Sequence, residues 1–124
     1  NIFIKKRTNL AKRYKENLLS SNIQLPTLLE DVKSSWHIYV IRIKEINLNK
    51  KQQIFEYLID KGIGVNLHYI PIHFHPFYQK MGFHEGQFPE AENYYREAMT
   101  LPLYPSLKQE EQDMIINEIA ELKF

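Results

Sequence analysis

The sequence predicts an α+β fold, a small and mostly antiparallel sheet packed on helices. Three observations carry that expectation. Helical apolar periods open and close the chain, the run Trp36-His37-Ile38-Tyr39-Val40-Ile41-Arg42-Ile43 alternates like a strand, and prolines and glycines punctuate the segments between. The elements then run helix, strand, strand, helix, strand, loop, helix, short extended piece, helix.

The first helix is expected over residues 2–20, with Leu10, Tyr14, Leu18 and Leu19 on its period, until Ser20-Ser21-Asn22 break it. Residues 23–29 read as extended, and Pro26 makes them an edge or irregular strand. In residues 36–43, Trp36, Ile38, Val40 and Arg42 share one face, and His37, Tyr39, Ile41 and Ile43 share the other. Both faces are largely apolar, which implies a central strand covered on both sides. A second helix over residues 48–61 buries Ile54, Phe55, Leu58 and Ile59, and Gly62 is placed as the left-handed residue that stops it.

Residues 63–69 read as a further strand. Residues 71–83 are turn-like, with at most a short helix at 77–80. Pro89 suits the first turn of a helix, with Glu90 and Glu92 near its positive end and Ala91, Tyr94, Tyr95, Ala98 and Met99 along it. Residues 101–105 are extended. Ser106 and Gln109 then stand at capping-box spacing before a last helix that buries Ile115, Ile119 and Leu122, with Met114 beside them.

The chain has 124 residues, which suits a single domain over residues 1–124. Sixteen basic and fifteen acidic residues nearly cancel, so the balance asks for neither a nucleic acid nor an anionic membrane as partner. The cluster Lys5, Lys6, Arg7, Lys12, Arg13 and Lys15 reads as a solvated helix face. There is no cysteine, which excludes disulfides, thiolate metal sites and a cysteine nucleophile, and fits a reducing compartment. No apolar run approaches the length of a membrane span, so the expected location is the cytoplasm. The chain starts at Asn1 without a methionine and runs straight into apolar Ile2-Phe3-Ile4, which is expected of a start inside a longer protein.

Chemistry concentrates in residues 64–76. Three of the five histidines, His68, His73 and His75, lie there with Tyr69 and Pro71 among them, a pattern that suits a surface loop shaped for contact. One reading is a metal site, since His73 and His75 would share a face of an extended backbone and imidazoles suit zinc, nickel or copper. No cysteine or acidic ligand stands in register to complete it, and no metal is expected. The plain alternative is that one or two of these rings pack or hydrogen-bond locally. Serines occupy loop and cap positions, and no glycine-rich phosphate loop exists. Glu92 with Arg96 reads as an exposed ion pair on a helix. The residues by themselves therefore give a globular domain with a His/Tyr/Pro contact loop and no complete catalytic set.

The run from Gly62-Ile63 to His68-Tyr69, Pro71 and His73 resembles the stretch G-I-x-x-x-x-H-Y-x-P-x-H of the DegT/StrS sugar aminotransferases. The resemblance continues through Pro76-Phe77-Tyr78, Gly82 and Phe88-Pro89-Glu90-Ala91-Glu92 to Leu101-Pro102-Leu103-Tyr104-Pro105, and includes Ser35 to Tyr39 upstream. The wording is closest to the family's pseudaminic acid pathway members, which aminate a UDP-linked 4-keto-6-deoxy sugar.

This resemblance implies the small C-terminal domain of a type I aminotransferase fold. The family's cofactor is pyridoxal phosphate, and its Schiff-base lysine and pyridinium aspartate lie in a large domain that no part of this chain resembles. Lys44, Lys61 and Lys80 sit in no matching motif, so the chain alone is expected to bind no cofactor and to be inactive. The expected partners are the large domain of the same polypeptide, a UDP-sugar, an amino-acid donor and a second subunit in a homodimer. His68, Tyr69, Pro71 and His73 would face the substrate. The rival reading is a self-standing binding or interaction module, with or without a histidine-bound metal.

Overall fold

The computed structural model describes residues 2–122. Helix α1 (Ile2–Asn17) leads into strand β1 (Ile23–Gln24), then β2 (Tyr39–Ile43) and α2 (Leu48–Asp60). A 3-10 turn (Ile72–Phe74) and α3 (Pro76–Lys80) follow, then α4 (Pro89–Glu97), β3 (Ala98–Leu101) and α5 (Gln109–Ala120). The three strands form one antiparallel sheet in the order β1-β2-β3, so the expected mixed architecture and the central place of β2 are found.

The sheet has two unlike faces. Tyr39, Ile41 and Ile43 of β2, with Met99 and Leu101 of β3, point into the core. There they meet Ala11, Tyr14 and Leu18, with Leu58 of α2 and Ile115 and Ile119 of α5. The period of two in β2 produces this face directly, because successive side chains leave a strand on opposite sides. Tyr14 fixes α1 here: its ring lies 5.0 Å from that of Tyr39, and its hydroxyl donates to the Pro102 carbonyl at 2.9 Å. Buried Gln112 of α5 donates to the Leu10 carbonyl at 2.8 Å, closing α1 against α5. The other face carries Val40, Arg42, Ala98 and Thr100, and α4 packs against β2 there. Arg42 reaches Glu97 of α4 at 2.7 Å and lies over the Tyr94 ring.

Several boundaries differ from the sequence reading, each for a local reason. Helix α1 stops at Asn17, and Leu19 points to solvent rather than into the period. Trp36 has a positive φ of 50°, so β2 begins only at Tyr39. In α2 the stripe is Ile54 and Leu58, while Ile59 is exposed. Gly62 does end that helix, with φ +77° and the Ile63 amide reaching back to the Leu58 carbonyl, the bonding of a left-handed helix stop.

Residues 63–69 are not a full strand. The Val65 amide bonds the Ile63 carbonyl, a tight turn that coils the chain and leaves only Asn66 to pair with Thr100. Ala98 and Met99 belong to β3, not to the preceding helix. Four consecutive buried residues suit either element, and pairing with β2 decides it. At α5 the cap is Lys108 rather than Ser106, because a turn from Tyr104 to Leu107 delays the helix; Glu111 then accepts from the Lys108 amide at 2.8 Å. Among the described residues no helix is long and apolar enough to cross a membrane.

Candidate functional site

The segment after α2 delivers the histidine loop to the free edge of β3. Ile63 and Val65 sink into the core, and Asn66 makes both backbone bonds with Thr100, at 3.0 and 2.8 Å. Two residues later His68 lies on the sheet face opposite the main core, its Nδ1 2.8 Å from Thr100 Oγ1. The other ring nitrogen, Nε2, has no hydrogen-bond partner among the described residues. Tyr69 stands beside it, 75% exposed, with the two rings edge to face at 4.8 Å across a cis His68–Tyr69 peptide bond. The structure thus brings His68 and Tyr69 together at one outward-facing corner.

His73 is placed differently. Its ring is buried, 4.4 Å from Phe74 and 4.8 Å from Phe88, and Nε2 lies 2.9 Å from Glu92 Oε1. Pro71 borders an apolar hollow of about 340 Å³ with Ile72, His73, Tyr78, Phe83 and Phe88. The turn at Ile72–Phe74 removes the extended backbone on which His73 and His75 would have shared a face, and His75 is exposed before α3. Among the described residues, no three His, Cys, Asp or Glu side chains gather as metal ligands.

Sequence reasoning missed the group that organises this region. Glu92 is 4% exposed and pairs with His73, not with Arg96, which bonds Asn93 at 3.0 Å. Its carboxylate also accepts from the Gly86 amide at 2.8 and 3.0 Å and from the Phe88 amide at 3.3 Å. Burial pushes its pKa up. The hydrogen bonds from His73, Gly86 and Phe88 outweigh that and hold it below the usual carboxylate value. The spacing Phe88-Pro89-x-x-Glu92 was the available signal, since a glutamate in the first turn of a helix faces the amides before it.

Lys51 is the second such residue. It is the single buried lysine among the described residues, and its ammonium donates to the Tyr95 carbonyl and lies 4.6 Å from the Tyr95 ring centre. Burial lowers its pKa to about 8. It ties α2 to the end of α4. Lys44 bonds the Ser21 carbonyl and Lys61 bonds Glu118. Among the described residues no aspartate pairs with Lys51, and its nitrogen is committed to the Tyr95 carbonyl, so Lys44, Lys51 and Lys61 do not form a cradle for pyridoxal phosphate.

The comparisons with known proteins agree with this frame. The sequence signature of the DegT/DnrJ/EryC1/StrS aminotransferase family matches residues 1–120, and the chain belongs to that family. The spore coat polysaccharide biosynthesis protein SpsC of Bacillus subtilis is 33% identical over 95% of this chain and 31% of its own length. The putative sugar aminotransferase Spr1654 of Streptococcus pneumoniae, solved in apo, PMP and PLP forms, superposes with a TM-score of 0.89 at 30% identity, covering 94% of this chain and 30% of that one. Helicobacter pylori PseC, an aminotransferase of pseudaminic acid biosynthesis, gives a TM-score of 0.86 at 27% identity over 96% of this chain and 32% of its own. Relatives at 29% and 30% identity are transaminases named for a dTDP-linked and a UDP-linked amino sugar. The chain spans about a third of the length of the relatives it matches.

Proposed function

We propose that this chain is the C-terminal small domain of a longer pyridoxal-phosphate-dependent transaminase that aminates a keto group on a UDP-linked deoxy sugar, with His68 and Tyr69 facing the sugar nucleotide. The observation that carries this reading is the corner at the β3 edge. One nitrogen of His68 is held by Thr100, the other has no partner among the described residues, and the Tyr69 phenol stands exposed next to it. Imidazole and phenol groups at that spacing suit hydroxyl and phosphate oxygens. Family membership and the relatives' printed substrates support the nucleotide-sugar class. Pro71 and His73 act here by holding the loop, His73 through Glu92.

Bound pyridoxal phosphate supplies the electron sink for amino transfer. In this reading its lysine and its pyridinium partner belong to the large domain, and an amino acid serves as donor to a homodimeric enzyme. The test uses the full-length enzyme with UDP- and dTDP-linked 4-keto-6-deoxy sugars. His68→Ala is expected to raise the KM for the preferred sugar nucleotide roughly tenfold, the worth of one hydrogen bond of about 1.4 kcal/mol. Preference for the dTDP sugar would replace the nucleotide assignment. An unchanged KM would remove His68 from the binding site. The 124-residue chain as purified is expected to show no lysine aldimine band, and such a band would overturn the assignment of the cofactor to the large domain.

A further inference from the structure

We infer that Thr100 is a positioning residue that fixes the tautomer of His68, so that His68 presents a hydrogen-bond donor, Nε2–H, to the sugar nucleotide. This rests on the reading that His68 faces the substrate. It adds the direction of the hydrogen bond and the residue that sets it.

The argument is an account of protons around one buried hydroxyl. Thr100 is 6% exposed in the middle of β3. Its backbone amide and carbonyl are both used by Asn66. Among the described residues, Oγ1 has a single partner, His68 Nδ1 at 2.8 Å. A hydroxyl in that position brings a proton that needs an acceptor, and a buried donor without one is costly. If Nδ1 carried the ring proton, it would donate to Oγ1 and leave the hydroxyl proton with no acceptor. If the hydroxyl donates to Nδ1, the buried hydroxyl proton has its acceptor. The ring proton then sits on Nε2, the nitrogen that has no partner among the described residues. Restricted rotation at a β-branched side chain in a strand keeps Oγ1 on this line.

The consequence is a filter on the ligand. A ring that offers Nε2–H accepts a phosphate, hydroxyl or carbonyl oxygen at that point and rejects an ammonium or amide donor. Serine at position 100 keeps the device, and valine, of the same shape, loses it.

The experiment measures long-range ¹H–¹⁵N correlations of the histidine side chains in the full-length enzyme, with His68 assigned by its loss in His68→Gln. The expected result is a protonated Nε2 and an unprotonated Nδ1. Thr100→Val is expected to mix the two tautomers and to raise the sugar-nucleotide KM several-fold with kcat little changed, while Thr100→Ser restores both. A wild-type ring protonated at Nδ1 overturns the inference, and it does so even if the valine variant fails to fold. So does a valine variant with unaltered tautomer and KM, provided His68→Ala raises KM. An unchanged KM in His68→Ala instead removes the reading on which the inference rests, whatever the tautomer.

Discussion

The two faces of the β2–β3 sheet are held by different physics. On the core face, Ile41, Ile43, Met99 and Leu101 pack against Tyr14, Leu58 and Ile119, and order comes from many small apolar contacts. On the other face and in the loops that run from it, residues 68–92 bury less and rely on a few polar anchors. His68 is fixed to Thr100, and Glu92 gathers His73, Gly86 and Phe88. A surface of exposed Ile72, Phe77, Met81 and Phe88 lies around those anchors. Apolar packing is redundant and stabilises the whole domain, whereas a polar anchor acts on the segment it holds. The core face should therefore tolerate small changes and report them globally. The loop face should report them locally.

The largest expected effect tests the first half of that contrast. Leu58 is fully buried in the core cluster, between α2 and the sheet. Leu58→Ala is expected to cost about 3 kcal/mol of global stability, the transfer of the lost side chain plus the cavity it leaves. Urea denaturation of the 124-residue chain measures it. The same loss should appear in every strand amide by hydrogen exchange, because the core unfolds as a unit. A loss confined to α2 would break the comparison.

The same contrast explains what could be read from the sequence. Elements whose order comes from periodic apolar burial were legible: α1, β2, α2 and α5 all carry their stripes, and Gly62 marks its helix end through a backbone requirement. The short runs were not. Residues 98–101 are apolar without a decisive period, and pairing with β2 settles them as a strand; residues 63–69 alternate like a strand, yet only Asn66 pairs, with Thr100 on the free edge of β3. In the site, the chemistry of residues 68–73 singled them out as a contact loop. The division of labour did not show, because it depends on residues 19 to 32 positions away in sequence, Glu92 for His73 and Thr100 for His68. A carboxylate on a helix looks the same in sequence whether it faces solvent or a buried imidazole.

Lys51 sharpens the comparison, being a polar anchor set between α2 and α4. Its pKa falls from 10.5 to about 8 because burial disfavours the ammonium. Between those two values the unfolded chain binds a proton that the folded chain has released, so this group adds stability as pH rises. The contribution is at most one proton, a slope of about 1.4 kcal/mol per pH unit. Tyr39, which burial raises to about 12, and Tyr14, raised further mainly by burial, act oppositely above pH 10, since their neutral forms are the ones that fit the core. The window to read is therefore pH 8 to 10. Lys51→Met, of similar shape, is expected to remove this rise in a series of thermal melts. An identical slope in the variant would show that Lys51 stays charged beneath the Tyr95 ring.

The smallest global effect, and the most local, is expected at Glu92. Glu92→Gln keeps the shape of the side chain and removes its charge, so the Gly86 and Phe88 amides lose a strong acceptor and His73 loses its carboxylate partner. The carboxylate pKa lies below its ordinary value of 4.5, because its hydrogen bonds outweigh the opposing effect of burial. Its stabilisation is therefore full above about pH 4.5 and is lost as pH falls through the folded value; the variant should lack that part of the acid limb. At neutral pH the hydrogen exchange of the Gly86 and Phe88 amides should quicken in the variant, while Ile41 and Met99 in the sheet exchange as before. If the sheet amides quicken equally, Glu92 belongs to the global core. If neither set moves, the loop is held by the packing of Phe74 and Phe88 against His73, and the carboxylate is dispensable.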